Sequence, residues 1–384
     1  MRKLYKLKKD YSIIVQSEII EYPNPDYIYL PIYENFNVLV KQNEKICKGQ
    51  VVIENNLNKV LSPVSGSVLG VKIMSADGKN TNVLVIKNDF EEKEKKKREF
   101  KTIKYSKEEI VSLLYEFYFN KLASDLETRK IKNLVINGIE DEPYIYNKSF
   151  LLKNYEKEIL EITDLIASQF KINNSMIAIK SNDSKCIESY LNKIGTYPNI
   201  SLSLVPDYYL LGKEPFLLEH LGLNDKETLI IDVEVLFDIY EALFLQRNNY
   251  KTLITISGPT LSKSVVIRLT KGTLLEDAII NNIKVKDLDP VYVLNGPMTG
   301  KKCDIKREVI TENTKGVYIA IDENIKEEKC LNCGLCLRVC PVKINPKKCL
   351  DKKRKSAKCL DCGLCSYICP SNINLRKVLK GENE

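Results

Sequence analysis

Apolar and polar positions follow three successive rhythms along this chain. Ile28-Tyr-Leu-Pro-Ile32 and Val38-Leu-Val40 are short apolar strands. A turn-rich stretch then gives Lys48-Gly-Gln-Val-Val-Ile53 and Leu61-Ser-Pro-Val-Ser-Gly-Ser-Val68, so residues 26–90 read as all-β. Past residue 105 the period lengthens. Glu108 to Leu126 carries Ile110, Leu113, Leu114 and Phe117 at helical spacing. Asn133 to Gly138 is a short buried strand bounded by a turn. Helix (156–170), strand (176–179), helix (184–194), strands (201–205 and 228–233) and helix (235–245) follow. Strands alternating with helices imply an α/β layer with a mostly parallel sheet over 105–250. From Thr252 to about Ala320 the pattern is β-rich again, through Leu253–Gly258, Val265–Leu269, Thr273–Ile279 and Val291–Gly300, with one short helix.

Size and charge add bounds to that pattern. At 384 residues with 44% hydrophobic content, two or more folded domains are expected. No run approaches the roughly 18 apolar residues of a membrane span. The N-terminus is charged with no apolar stretch behind it, which argues against an export signal and for a cytoplasmic, reducing compartment, compatible with peripheral docking at a membrane. The formal net charge is +8. Part of it lies in two runs. The run at 91–98 reads as solvated linker. The lysines of 347–358 read either as solvated loop or as a surface that steers an acidic redox partner. Neither run has the aromatic interleaving of a nucleic-acid module, so nucleic acid is not an expected partner.

The candidate chemistry lies in the last fifty-odd residues. Cys330, Cys333, Cys336 and Cys340-Pro341 form one C-x2-C-x2-C-x3-C-P run; Cys359, Cys362, Cys365 and Cys369-Pro370 form another. This is the run that holds a [4Fe–4S] cluster in bacterial ferredoxins, where the fourth cysteine ligates the other cluster. Cys330, Cys333, Cys336 and Cys369 are therefore assigned to one cluster, and Cys359, Cys362, Cys365 and Cys340 to the second. Gly334 and Gly363 fall inside the turns, where side chains would crowd a cluster and positive φ is needed. Structural zinc and disulfides are the competing readings; zinc does not call for the proline, and disulfides call for an oxidising compartment.

The other residues of note receive plain readings. His220 is the only histidine, sits on an expected helix and has no evident partner, which disfavours Ser-His-Asp hydrolysis. Cys47, Cys186 and Cys303 read as isolated buried thiols. Cys349, between the two runs, reads as a free thiol, a substitute ligand being the alternative.

Several motifs carry a family resemblance. Lys-Gly-Gln-Val at 48–51 and Ser-Pro-Val-Ser-Gly-Ser-Val at 62–68 look like the barrel-sandwich hybrid of lipoyl and biotinyl domains, although Lys59 stands too close to Pro63 for a carrier lysine. Asn137-Gly-Ile-Glu-Asp-Glu-Pro-Tyr144, Tyr209-Leu-Leu-Gly-Lys-Glu-Pro-Phe-Leu217, Asn295-Gly-Pro-Met-Thr-Gly300 and the final cysteine run are similar to motifs of the RnfC-like family, named for the C subunit of the Rnf electron-transport complex. That family is related to the NADH-binding flavoprotein of respiratory complex I, and it includes the electron-transfer protein associated with proline reductase. The resemblance implies a multidomain α/β chain: a barrel-sandwich hybrid over 1–90 and a charged linker over 91–104. A complex-I flavoprotein-like α/β domain would follow over 105–250, a β-grasp, SLBB-like domain over 251–322, and a two-[4Fe–4S] ferredoxin-like α-helical domain over 323–384.

The departures concern the flavin. Relatives that bind FMN carry a glycine-rich loop whose amides cradle the phosphate. Here no glycine stands between Gly78 and Gly138, and Tyr115 to Leu122 is expected as continuous helix. Where the family has asparagine and threonine, this chain has Asp232 and Glu234, whose carboxylates would repel a phosphate. Glu140 and Glu142 survive and are read as structural. The expectation is an electron-transfer protein with two [4Fe–4S] clusters and without FMN or NAD. Its partners would be redox proteins: a ferredoxin-like donor, a reductase or an Rnf-type membrane complex. The alternatives are a true Rnf-type protein taking hydride from NADH through FMN, and a structural adaptor.

Overall fold

A computed structural model of the protein describes residues 5–7, 15–94, 105–285, 289–321 and 326–381. In the N-terminal part, Tyr27–Ile32, Lys79–Asn88 and Gly66–Ala76 pair antiparallel, with Lys45–Ile46 on the end of the last. A second small sheet joins Asn37–Val38, Val51–Glu54 and Lys59–Leu61. Period-two alternation puts Ile28, Leu30 and Ile86 inward, where they meet Val52 and Ile53 in one apolar core. Lys59 opens its strand, exposed. The described part of the charged run follows Lys48, whose ammonium lies 3.7 Å from both Glu92 and Glu94. Residues 95–104, the rest of the expected linker, lie outside the described residues, as do residues 322–325 at the expected start of the cysteine-rich part.

The middle of the chain is a four-stranded, fully parallel sheet in the order Ile200–Val205, Asn174–Lys180, Asn133–Asn137, Thr228–Asp232. Parallel sheets bury both faces, and alternate residues of the central strand divide between two cores. Leu134 and Ile136 pack with helices Lys107–Glu116, Glu156–Gln169 and Val233–Phe244. Val135 faces the other way, to Phe216 and Leu217 and to Val339, Cys362 and Leu364 of the cysteine-rich region. That region is thus part of the core that covers the sheet. Both faces are needed: burying side chains such as Val, Leu or Phe contributes roughly 1.5–3 kcal/mol each.

A fourth, six-stranded mixed sheet runs Val15–Glu21, Ser264–Thr270, Lys251–Ser257, Gly316–Ile321, Pro290–Leu294, Lys301–Lys302. Its first strand comes from the extreme N-terminal part and pairs parallel with Ser264–Thr270. In return, Glu308–Val309 adds to Gly66–Ala76. Three-dimensional units here exchange strands across the sequence ranges expected for them.

Two local expectations are corrected. Tyr115 to Leu122 is not continuous helix: Lys107–Glu116 ends, and Asn120–Thr128 begins after a turn. Tyr118 takes φ 67, its amide donates to the Tyr115 carbonyl (3.1 Å), and the Phe119 amide donates to the Leu114 carbonyl (2.8 Å). This is a Schellman closure with tyrosine where glycine is usual. Thr273–Ile279, read within the β-rich pattern, enters the helix Leu275–Ile280, which carries Glu276 and Asp277 in its first turn.

Candidate functional site

In the parallel sheet the first strand in sequence, Asn133–Asn137, is flanked by the second on one side and by the fourth on the other. The winding therefore reverses between Asn133–Asn137 and Thr228–Asp232, and in such sheets ligands bind outside the carboxyl ends at that switch. Asn137 and Asp232 are in register at those ends. The Asn137 amide donates to Asp232 Oδ1 and to the Gly212 carbonyl, both at 2.7 Å. Lys148, buried, donates to Asp232 at 2.8 Å and lies 3.5 Å from Asp141. Burial pulls its pKa down, but Asp141, Asp232 and Glu234 raise it further, so the ammonium stays charged. Glu234 accepts from Lys315 (2.9 Å) and from Asn147 (3.2 Å). Asp232 and Glu234 are therefore not bare carboxylates, as the sequence suggested; each is tied to a lysine. Lys148 escaped sequence reasoning because no local pattern marks it.

The two glutamates of the same loop bridge segments. Glu140 accepts from the Ser149 amide (2.9 Å) and hydroxyl (3.2 Å), and burial pushes its carboxyl up to about 7. Glu142 accepts from the Met298 amide (3.1 Å) and from the Thr299 hydroxyl, and burial likewise pushes it up to about 7. Tyr209 lies 3.5 Å from Glu142 and donates to the Cys362 carbonyl at 2.8 Å. Three motifs far apart in sequence, at 137–144, 209–217 and 295–300, thus meet at the turn around Cys362.

Each cysteine run wraps a short helix, Leu335–Val339 or Leu364–Tyr367, entered through a glycine in the left-handed region, Gly334 at φ 72 and Gly363 at φ 74. Cys330, Cys333, Cys336 and Cys369 line one cavity. Cys340, Cys359, Cys362 and Cys365 line another. The first has an open rim, with Cys330 and Cys333 exposed, whereas Cys362 and Cys365 of the second are buried. Among the described residues no three His, Cys, Asp or Glu side chains are placed to hold a single metal ion. Four thiols around a cavity suit a cube of iron and sulfide better than the single ion of a zinc site. Asp361, in the second run, is gripped by Arg376 at 2.5 and 3.0 Å and by Lys380 at 2.8 Å.

The remaining cysteines divide. Cys349, like Cys336, Cys359 and Cys369, packs against the buried cluster of Cys365, Ile373, Leu375 and Leu379, but it lines neither cavity. Cys186 is buried; Cys47 and Cys303 are half-buried rather than buried, because each lies at the margin of its sheet. Burial pushes the Cys186 and Cys303 thiols up to about 12. His220 occupies the last turn of Glu214–Leu221. A separate cleft of about 1020 Å³ opens between the N-terminal part, the helix ends around Phe117 and Gln246, and the six-stranded sheet, lined in part by Lys48, Phe117, Tyr118, Tyr250 and Arg268.

Residues 116–257 match a family model described as the Nuo51 FMN-binding domain, and residues 323–344 match the 4Fe-4S binding domain. The chain is 26% identical over 359 residues to the C subunit of the ion-translocating oxidoreductase complex of Buchnera aphidicola, covering 85% of this chain and 75% of that one. It is 23% identical over 362 residues to the C subunit of the proton-translocating ferredoxin:NAD(+) oxidoreductase complex of Clostridium ljungdahlii, covering 84% and 78%. Among solved structures, it aligns with an NAD+-reducing [NiFe]-hydrogenase in the H2-reduced state at a TM-score of 0.49 and 14% identity, covering 72% of this chain and 60% of that chain. The chain thus spans less than two thirds of that hydrogenase chain, while its resemblance to the two oxidoreductase subunits extends over most of its own length.

Proposed function

We propose, from that similarity to a subunit of ion-translocating oxidoreductase complexes, that the chain relays single electrons between partner redox proteins and carries no flavin of its own. One [4Fe–4S] cluster is held by Cys330, Cys333, Cys336 and Cys369, the other by Cys340, Cys359, Cys362 and Cys365. The observation that carries this reading is the pair of four-cysteine cavities, one open at the surface and one buried beside the switch of the parallel sheet. When bound, such clusters take up and release one electron at a time. The chain's own residues fix where that happens. Tyr209, Met298 and Glu142 brace the turn of Cys362 and Gly363, and Arg376 and Lys380 hold Asp361. We read the N-terminal sheets as the barrel-sandwich unit and the six-stranded sheet as the β-grasp unit, with the cysteine region as a two-cluster module.

The residues at the switch do not fit a flavin phosphate. Phosphate cradles need converging amides and unpaired positive charge. Here the crevice amide of Asn137 and the ammonium of Lys148 are already engaged by Asp232. The turn in place of the family's glycine loop carries Phe117 and Tyr118, which line the separate cleft. FMN therefore has no seat at the switch.

Anaerobically purified protein should contain about eight irons per chain and no stoichiometric FMN. Dithionite should bleach the clusters and NADH should not. Cys340→Ser should lose the cluster of Cys359, Cys362 and Cys365. About four irons in the wild type would end the two-cluster assignment. The second reading is a flavin-bearing, NADH-linked protein. The match of residues 116–257 to the FMN-binding domain and the name of the Clostridium relative favour it. A yellow protein whose clusters NADH reduces would establish it.

A further inference from the structure

Charge is distributed unevenly over this molecule. Residues 326–358 carry eleven lysines and arginines against three acids, a local +8 that equals the formal net charge of the whole chain. The rest of the protein is thus balanced, and the excess lies in the segment that supplies Cys330, Cys333, Cys336 and Lys347 to the open cavity and runs on from it. Arg338 donates to the Cys333 carbonyl at 3.2 Å. Lys347 lines the cavity wall. Lys352, Lys353, Arg354 and Lys355 run on, all exposed, from the end of the helix Pro346–Asp351. Of that group none makes an ion pair among the described residues; Lys347 alone pairs, with Asp351 at 2.7 Å. Neutralising the clusters does not account for the excess, because each oxidised cluster with its thiolates carries about two negative charges. Leu331 and Leu337 line the same cavity and are 66% and 43% exposed. An apolar centre within a charged ring is the anatomy of a protein docking site, and the sign of the ring sets the sign of the partner.

We propose that this rim is the docking surface for a small acidic one-electron carrier protein. The carrier places its own redox centre against Leu331 and Leu337, and the electron crosses there between it and the cluster of Cys330, Cys333, Cys336 and Cys369. This rests on the relay reading and names its partner. The transfer is balanced without a further reagent: the carrier loses the electron that the cluster gains, and reverses it in the opposite direction. A protein is favoured over an anionic membrane because the exposed leucines and Lys347 line the cysteine cavity itself, with Arg338 bonded to the Cys333 carbonyl beside them.

The test uses the full chain, anaerobic and iron-replete, with a strongly acidic bacterial two-cluster ferredoxin as probe. Its affinity is measured by titration calorimetry, and bleaching of the clusters by the reduced ferredoxin is followed by stopped flow. Both the affinity and the second-order rate should fall about tenfold or more between low and high salt. The triple reversal Lys352→Glu, Lys353→Glu, Lys355→Glu should lower both about tenfold at low salt, with iron content and reduction by dithionite unchanged. Basic cytochrome c, as an acceptor from the reduced protein, should show the opposite salt dependence. If the reversal variant loses iron, the sign of the wild-type salt dependence with the two carriers decides alone. A ferredoxin rate that ignores salt, or salt-dependent binding to anionic phosphatidylserine vesicles without any effect on ferredoxin, would overturn the proposal and leave the relay reading intact. Clusters that dithionite cannot reduce would overturn both.

Discussion

Lys148 is the residue on which the sheet's carboxyl end turns. Its ammonium is buried and shared by Asp232 and Asp141, so removing it strands two carboxylates that keep only part of their solvent. Lys148→Met should destabilise the protein by about 3 kcal/mol, the low end of the cost of breaking a buried pair. Pairing it with Asp232→Asn should recover part of that loss in denaturant midpoints. Glu140 supplies a pH signature. Its carboxyl is raised from 4.5 to about 7, so the folded state holds the proton more tightly than the unfolded chain. Its contribution is full below about 4.5 and is lost as pH rises to about 7. Glu140→Gln keeps the acceptor for Ser149 and removes the titration. The variant should gain stability over the wild type from pH 5 to pH 8, read as the difference in thermal midpoints. That the cysteines of the two runs gather around two cavities was legible, because the spacing within each run is local. Lys148 was not, because its partner Asp232 lies 84 positions away and nothing near Lys148 in sequence announces it.

Among the elements, the two cysteine turns are alike in backbone and unlike in surroundings. Gly334 and Gly363 both sit at positive φ, where a Cβ costs about 1–2 kcal/mol. Around Gly334 there is open space, but a Cβ on Gly363 would run into the main-chain carbonyl of Met298. Gly334→Ala should therefore keep about eight irons with a modest loss of stability, whereas Gly363→Ala should keep about four, the open site surviving. Iron analysis with EPR of the reduced proteins would separate these outcomes; equal losses would show that backbone strain alone matters. At this scale most of the alternation of strands and helices over residues 133–244 was legible from period and length, but the short helix Asn147–Asn154, which carries Lys148, was not expected. The break at Tyr118 was not. A Schellman turn is normally announced by glycine or asparagine, and the run Tyr-Glu-Phe-Tyr-Phe offers neither.

Over the whole molecule the two cavities differ in access. Cys330 and Cys333 are exposed and Cys362 and Cys365 buried, so oxygen or an iron chelator reaches the sites unequally. Iron should be lost in two phases, about four ions from the open site first, as followed by colorimetry alongside EPR. A single phase would mean that the two sites come apart together. Among the described residues no helix is long and apolar enough to cross a membrane. The strand partners across the molecule were the least legible feature, because nothing local tells Val15–Glu21 that its neighbour is Ser264–Thr270. That pairing has a consequence for biosynthesis. As the chain leaves the ribosome, its first strand must wait without a partner until residue 270 has emerged, and the sheet it completes keeps an open edge until then. Closure of the six-stranded sheet is thus a late step that ties Val15–Glu21 to a strand far downstream, Ser264–Thr270.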